Sequence, residues 1–166
     1  MSSNLTASAT LFEQVTHCLF IYLIVFRLIC FIQSKPWKNI MRKFNKLNNS
    51  TVVINTDRTD DTVMNFSNGI RITADYWRII KDGKHLLRSF DHEQQYGLPA
   101  PINANSVLHS ELKDQHVKKA KLDSRTGDIV IWFRGNLILQ ILNFTSYEVW
   151  EVTFTDGSRE FSNYNR

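Results

Sequence analysis

From Arg125 to Phe161 the chain reads RTGDIVIWFRGNLILQILNFTSYEVWEVTFTDGSREF, and three apolar runs alternate there with two turn signals. Ile129, Ile131 and Phe133 fall on one side of an extended segment. Arg134-Gly135-Asn136 breaks it, and Leu137, Leu139 and Ile141 resume on one side of the next. A period of two with a short Gly/Asn interruption is the pattern of a β-hairpin. Tyr147 to Phe154 is a third run, rich in aromatic and β-branched residues, and Asp156-Gly157 can turn it into Arg159 to Phe161. The pattern predicts a four-strand meander.

The same pattern occurs earlier. At an offset of 67 positions, RTDDTVMNFSNGIRI from Arg58 to Ile72 lies over RTGDIVIWFRGNLIL from Arg125 to Leu139 without a gap, and Asn68-Gly69 falls on Gly135-Asn136. With a few extra residues in the second copy, Trp77 falls on Trp150, Ile79 on Val152, and Asp82-Gly83 on Asp156-Gly157. Each copy has a lead strand, Thr51 to Asn55 or Val117 to Leu122. One meander buries a single face, so the two are expected to pack together around a shared core, with Trp77 and Trp150 as anchors. Asp61 and Asp128 are expected at strand-entry turns. Between the copies, SFDHEQQYGLPAPINA carries Gly97, Pro99 and Pro101 and reads as a loop. Asn105 or Ser106 is expected to cap a short helix carrying Val107, Leu108 and Leu112. Lys113 to His116 is expected to lead into the next strand.

Leu11 to Ile32, LFEQVTHCLFIYLIVFRLICFI, is apolar all round. At about 1.5 Å per residue it reaches about 33 Å, the thickness of a bilayer core. Arg27 lies near its C-terminal boundary, where it can snorkel, and Lys35, Lys38, Arg42 and Lys43 follow it. The expectation is a single-pass membrane segment with the β-rich domain in the cytoplasm. Two other readings stand beside it: translation from Met41, which would leave a cytoplasmic protein, and a core or partner-binding helix. A secretory signal peptide fits poorly, because the charges follow the apolar core. Lys43 to Ser50 is polar and reads as a linker.

The whole predicts an α+β fold, mostly antiparallel β. Two pseudo-repeated β-meanders, residues 51–88 and 117–162, are joined by a loop and short helix at 89–115. A hydrophobic N-terminal helix and basic linker, residues 1–46, precede the 47–166 domain.

Charge narrows the possible partners. The formal net charge is +4. Residues 1–46 hold Arg27, Lys35, Lys38, Arg42, Lys43 and Lys46 against Glu13 alone, so the rest of the chain is close to neutral. Such a body lacks the footprint that phosphate backbones require, and no nucleic-acid partner is expected. Cys18 and Cys30 both lie in the apolar run and form neither a disulfide framework nor a zinc spacing. No GxSxG, P-loop, HExxH or dinucleotide fingerprint occurs. Neither cofactor nor catalytic residues are expected. The reactive groupings that remain are Asp91-His92-Glu93, with His85 upstream, and the pair His109 and His116. The first suggests an alternative, a small metal-binding protein or hydrolase. The same loop can instead present an apolar ridge to a protein partner through Phe90, Asp91, His92, Glu93, Tyr96 and Leu98.

The segments YWRIIKDGKHLL, SFDHEQQYGLPAPINA, TGDIVIWF and NFTSYEVWEVTFTDG resemble an uncharacterised family of small bacterial proteins, over roughly Val52 to Tyr164. The resemblance implies no activity and no catalytic residues. In size and style its members are similar to immunity-type proteins, which bind and neutralise a toxin. The expectation is a non-catalytic protein-interaction module.

Overall fold

The computed structural model describes residues 39–53, 62–145 and 147–162. The chain divides into two compact units, Met1–Ile40 and Met41–Arg166. The predicted membrane segment Leu11 to Ile32 lies outside the described residues, as do Asp61 and both cysteines. Among the described residues no helix is long and apolar enough to cross a membrane.

The second unit is mostly antiparallel β. Its strands are β1 (Val52–Val53), β2 (Val63–Phe66), β3 (Arg71–Ala74), β4 (Trp77–Lys81), β5 (Lys84–Arg88), β6 (Val117–Leu122), β7 (Ile129–Phe133), β8 (Leu137–Ile141), β9 (Trp150–Thr153) and β10 (Arg159–Phe161). They form two five-stranded sheets, with orders β1-β2-β3-β9-β10 and β5-β4-β8-β7-β6. In both sheets strands such as β2, β7, β8 and β9 alternate between buried and partly exposed residues, as an antiparallel sheet with one wet face does. Ile72 and Val152 in the first sheet, and Ile79, Ile131 and Leu139 in the second, are fully buried. Full burial of such a side chain is worth about 1.5–3 kcal/mol.

The strand order differs from two self-contained meanders. Each run of strands is divided: β1, β2 and β3 lie in the first sheet and β4 and β5 in the second, while β6, β7 and β8 lie in the second and β9 and β10 in the first. The cause is at the bends. Ala74 and Trp77 are both buried, and the two residues between them, Asp75 and Tyr76, carry the chain from one sheet to the other. The chain crosses back between Ile141 and Trp150, and the extra residues of the second copy fall in this crossing. The crossings are bonded to each other, Asp75 N to Val149 O at 2.9 Å and Leu142 N to Tyr76 O at 2.9 Å.

Positions matched along the sequence have matched registers. Met64 opposes Ile72 as Ile131 opposes Leu139, and Trp150 opposes Ala74 as Trp77 opposes Ile141. Trp77 and Trp150 are both buried, at the first position of β4 and β9. Their polar atoms differ: Trp150 Nε1 donates to Gly127 O at 2.9 Å, whereas Trp77 Nε1 has no partner. Asp128 accepts from Asn143 N at 2.7 Å, which pins the entry to β7 to the second crossing.

Two expectations need correction. Residues 43–50 are not a linker. Phe44 and Leu47 are fully buried, Phe44 meets Phe154 edge-on at 5.8 Å, and Lys43 pairs with Glu160 at 3.1 Å. Phe44 and Leu47 anchor the segment, and Asn49 N to Val117 O at 2.9 Å and Ala120 N to Asn48 Oδ1 at 3.0 Å hold it against β6. The connecting helix, α1 (Ala104–Leu112), begins earlier than expected, because Asn103 Oδ1 accepts from Ser106 N at 2.9 Å. Asn103, not Asn105 or Ser106, is the cap, and Asn105 is buried.

Candidate functional site

The chain crossings place aromatic side chains at the surface. Tyr76 belongs to the first crossing, Phe144 to the second, and Phe90 to a 3-10 turn, Ser89–Asp91, that follows β5. Tyr76 stacks on Phe90 with ring centroids 5.4 Å apart, and packs against Phe144 at 4.5 Å; Phe90 and Phe144 are 6.1 Å apart. Phe90 and Phe144 nevertheless remain 56% and 57% exposed. Three rings from separate segments thus form one patch that is still largely wet. Isolated exposed apolar residues need no explanation, whereas rings from three segments gathered in one place make a candidate contact surface. Tyr147, in the second crossing, is also exposed, as are Tyr96 and Leu98 in the loop.

The loop behind Phe90 is held by Asp91, whose carboxylate is turned inward. Its oxygens accept from Arg88 N at 3.0 Å, Arg88 Nε at 3.2 Å and Tyr96 Oη at 3.2 Å. Burial pushes this carboxyl up, but the Arg88 backbone N–H, the Arg88 guanidinium and the Tyr96 hydroxyl outweigh it and hold the group below its ordinary value. The same contacts raise the Arg88 guanidinium. The loop also closes on itself, with Glu93 N donating to Ile102 O and Ile102 N to Gln94 O. Glu93 and Tyr96 both have positive φ, which further defines the backbone here.

The residues singled out in the sequence therefore part company. Phe90 joins the aromatic patch. Asp91 and Tyr96 bond each other, and Leu98 is exposed. Glu93 points to solvent, while His92 is half-buried and its Nδ1 lacks a partner. His85 is exposed on β5. His109 is buried in α1, whereas His116 Nδ1 lies 3.0 Å from Thr51 Oγ1 where the two lead strands meet. Because α1 ends at Leu112, His109 and His116 share no helix face. Among the described residues no three metal-capable side chains gather.

Tyr76 and Phe144 are the members that sequence reading missed. Tyr76 directly precedes Trp77, and Phe144 lies three residues before Tyr147 of the YEVW segment. Their only signal was their location in stretches that had to connect one buried strand to another. No protein-family model, curated protein or solved structure matches the chain.

Proposed function

We propose that the β-rich domain is a non-catalytic protein-interaction module that grips one protein partner through Tyr76, Phe90 and Phe144. The observation that carries this reading is the solvent-exposed aromatic cluster built by three separate chain segments, one of them a braced loop. Aromatic side chains dominate the energetics of protein interfaces, because they bury a large area and lose little conformational freedom. The bracing adds to this, since a loop already held by Asp91 loses little further entropy on binding. A fold of two pseudo-repeated units joined by the loop and α1 suits the role: the repeated strands supply the scaffold, and the unequal parts, the connector and the longer second crossing, supply the surface. By resemblance the partner is a toxin and the protein its immunity factor. Leu11 to Ile32 would tether the domain to the cytoplasmic side of a membrane.

The test is co-purification from the native host of the full chain and of a Phe90→Ala/Phe144→Ala variant. The native chain is expected to return one stoichiometric protein partner. The variant should bind it at least about tenfold more weakly, in keeping with interface hot spots, while its melting transition hardly changes because both rings are exposed. A native chain that remains partnerless, or a variant that binds as tightly as the native chain, overturns the reading.

A further inference from the structure

The two sheets are built on matching registers, yet their solvent faces differ. In the first sheet the outward positions include Asn65, Arg71, Thr153 and Glu151, and Glu151 pairs with Arg159 at 3.3 Å. The positions that correspond to these four in the second sheet are Trp132, Ile138, Ile80 and Arg78. Trp132 opposes Ile138, and Ile138 opposes Ile80, so the three make an apolar stripe across β7, β8 and β4. Beside Trp132 and Ile138 is an open depression of about 420 Å³, bordered also by Lys118 and by the Asp82-Gly83 turn.

Charge is segregated in the same way. The strands of the first sheet carry Arg71 and Arg159 against Glu151 and Glu160. The five strands of the second sheet contain no Asp or Glu at all. Of their cations, Lys81 is paired with Glu111 and Arg88 with Asp91. Arg78, Lys84, Lys118 and Lys119 make no ion pair among the described residues, Lys121 is near Asp123, whose carboxylate is itself bonded to Arg125, and Lys119 Nζ lies over the Trp132 ring at 5.7 Å. Lys119 and Lys121 flank the stripe at one edge, since they oppose Trp132 and Val130; Arg78 continues it beside Gln140.

We infer that this face of the second sheet docks an acidic, apolar-containing polypeptide segment of the partner. The inference rests on the reading that the domain binds a protein. Apolar partner side chains would cover the Trp132, Ile138 and Ile80 stripe, and partner carboxylates would meet Lys119, Lys121 and Arg78. Charge complementarity selects this occupant. A single nucleic-acid strand would need several stacking rings, and the stripe has one.

A synthetic peptide of alternating Glu and Leu, titrated into the full chain in low salt and followed by amide and indole NMR shifts, tests this. Expected are shifts at Trp132, Ile138 and Lys119, an affinity that falls as salt rises, and a loss of about tenfold or more in a Lys119→Glu/Lys121→Glu variant. Both lysines are exposed, so this variant is expected to keep its fold. The inference is overturned if the peptide shifts nothing on this face, if charge reversal leaves its affinity unchanged, or if oligothymidylate binds more tightly. A Trp132 indole already shielded from a soluble quencher in the free chain also overturns it, because the face would then be covered from within. None of these results touches the co-purification test of Phe90 and Phe144, so the two ideas can fail separately.

Discussion

Asp91 opens the only Asp-His-Glu run of the chain, but its hydrogen bonds give it a structural task. Hydrogen bonds to a buried charged group are worth about 1.5–3 kcal/mol, so Asp91→Ala is expected to lower unfolding free energy by about 2 kcal/mol in a denaturant titration. The pH dependence has a definite sign. The folded-state carboxyl is held below its ordinary value, so the stabilisation is complete above that value and is lost as pH falls through the folded one. Compared with Asp91→Asn, the native chain should therefore keep a constant advantage from about pH 8 to about pH 5 and lose it progressively as the pH falls below the ordinary carboxylate range. An advantage that persists at the acid end would show that charge plays no part. The sequence made Asp91 conspicuous by its neighbours, although its role depends on Arg88 and Tyr96, which only the turn geometry brings to it.

At the level of elements, β4 and β9 offer an internal comparison. Each begins with a buried Trp at a matching register, but only the Trp150 indole makes a hydrogen bond, to Gly127 O. Replacement by Phe removes similar area at either site and leaves an unmet buried carbonyl at one. Trp150→Phe is thus expected to cost about 1 kcal/mol more than Trp77→Phe in thermal or chemical unfolding. Equal costs would mean that the bond contributes nothing. The strands themselves were legible, because period-two burial is written directly into IVIWF and LILQI. The start of α1 was less so. Asn103, Asn105 and Ser106 are all competent caps by residue type, and the choice fell to the register in which Leu108 and Leu112 are buried.

For the whole molecule, division of each strand run between both sheets has a thermodynamic consequence. Neither sheet can be lost without removing strands of both halves, so unfolding of the second unit should be one cooperative transition. Amide exchange in β2–β3 and in β7–β8 is expected to collapse at the same denaturant concentration; two separate midpoints would show independent halves. The sequence by itself determined the strands, their alternation, the matched registers and the paired tryptophans, because burial on one face of an extended chain needs only local spacing. It did not determine which sheet each strand joins, since a bend of two residues at Asp75-Tyr76 leaves no trace in hydrophobic periodicity. That choice also decided the surfaces. Summed along the chain, the charge outside residues 1–46 nearly cancels, yet pairing β4 and β5 with β6, β7 and β8 gathers cations on one sheet and leaves the carboxylates elsewhere. Rings separated by many residues meet at the crossing for the same reason: proximity of segments distant in sequence is set by sheet topology, and topology is selected by the packing of the whole core.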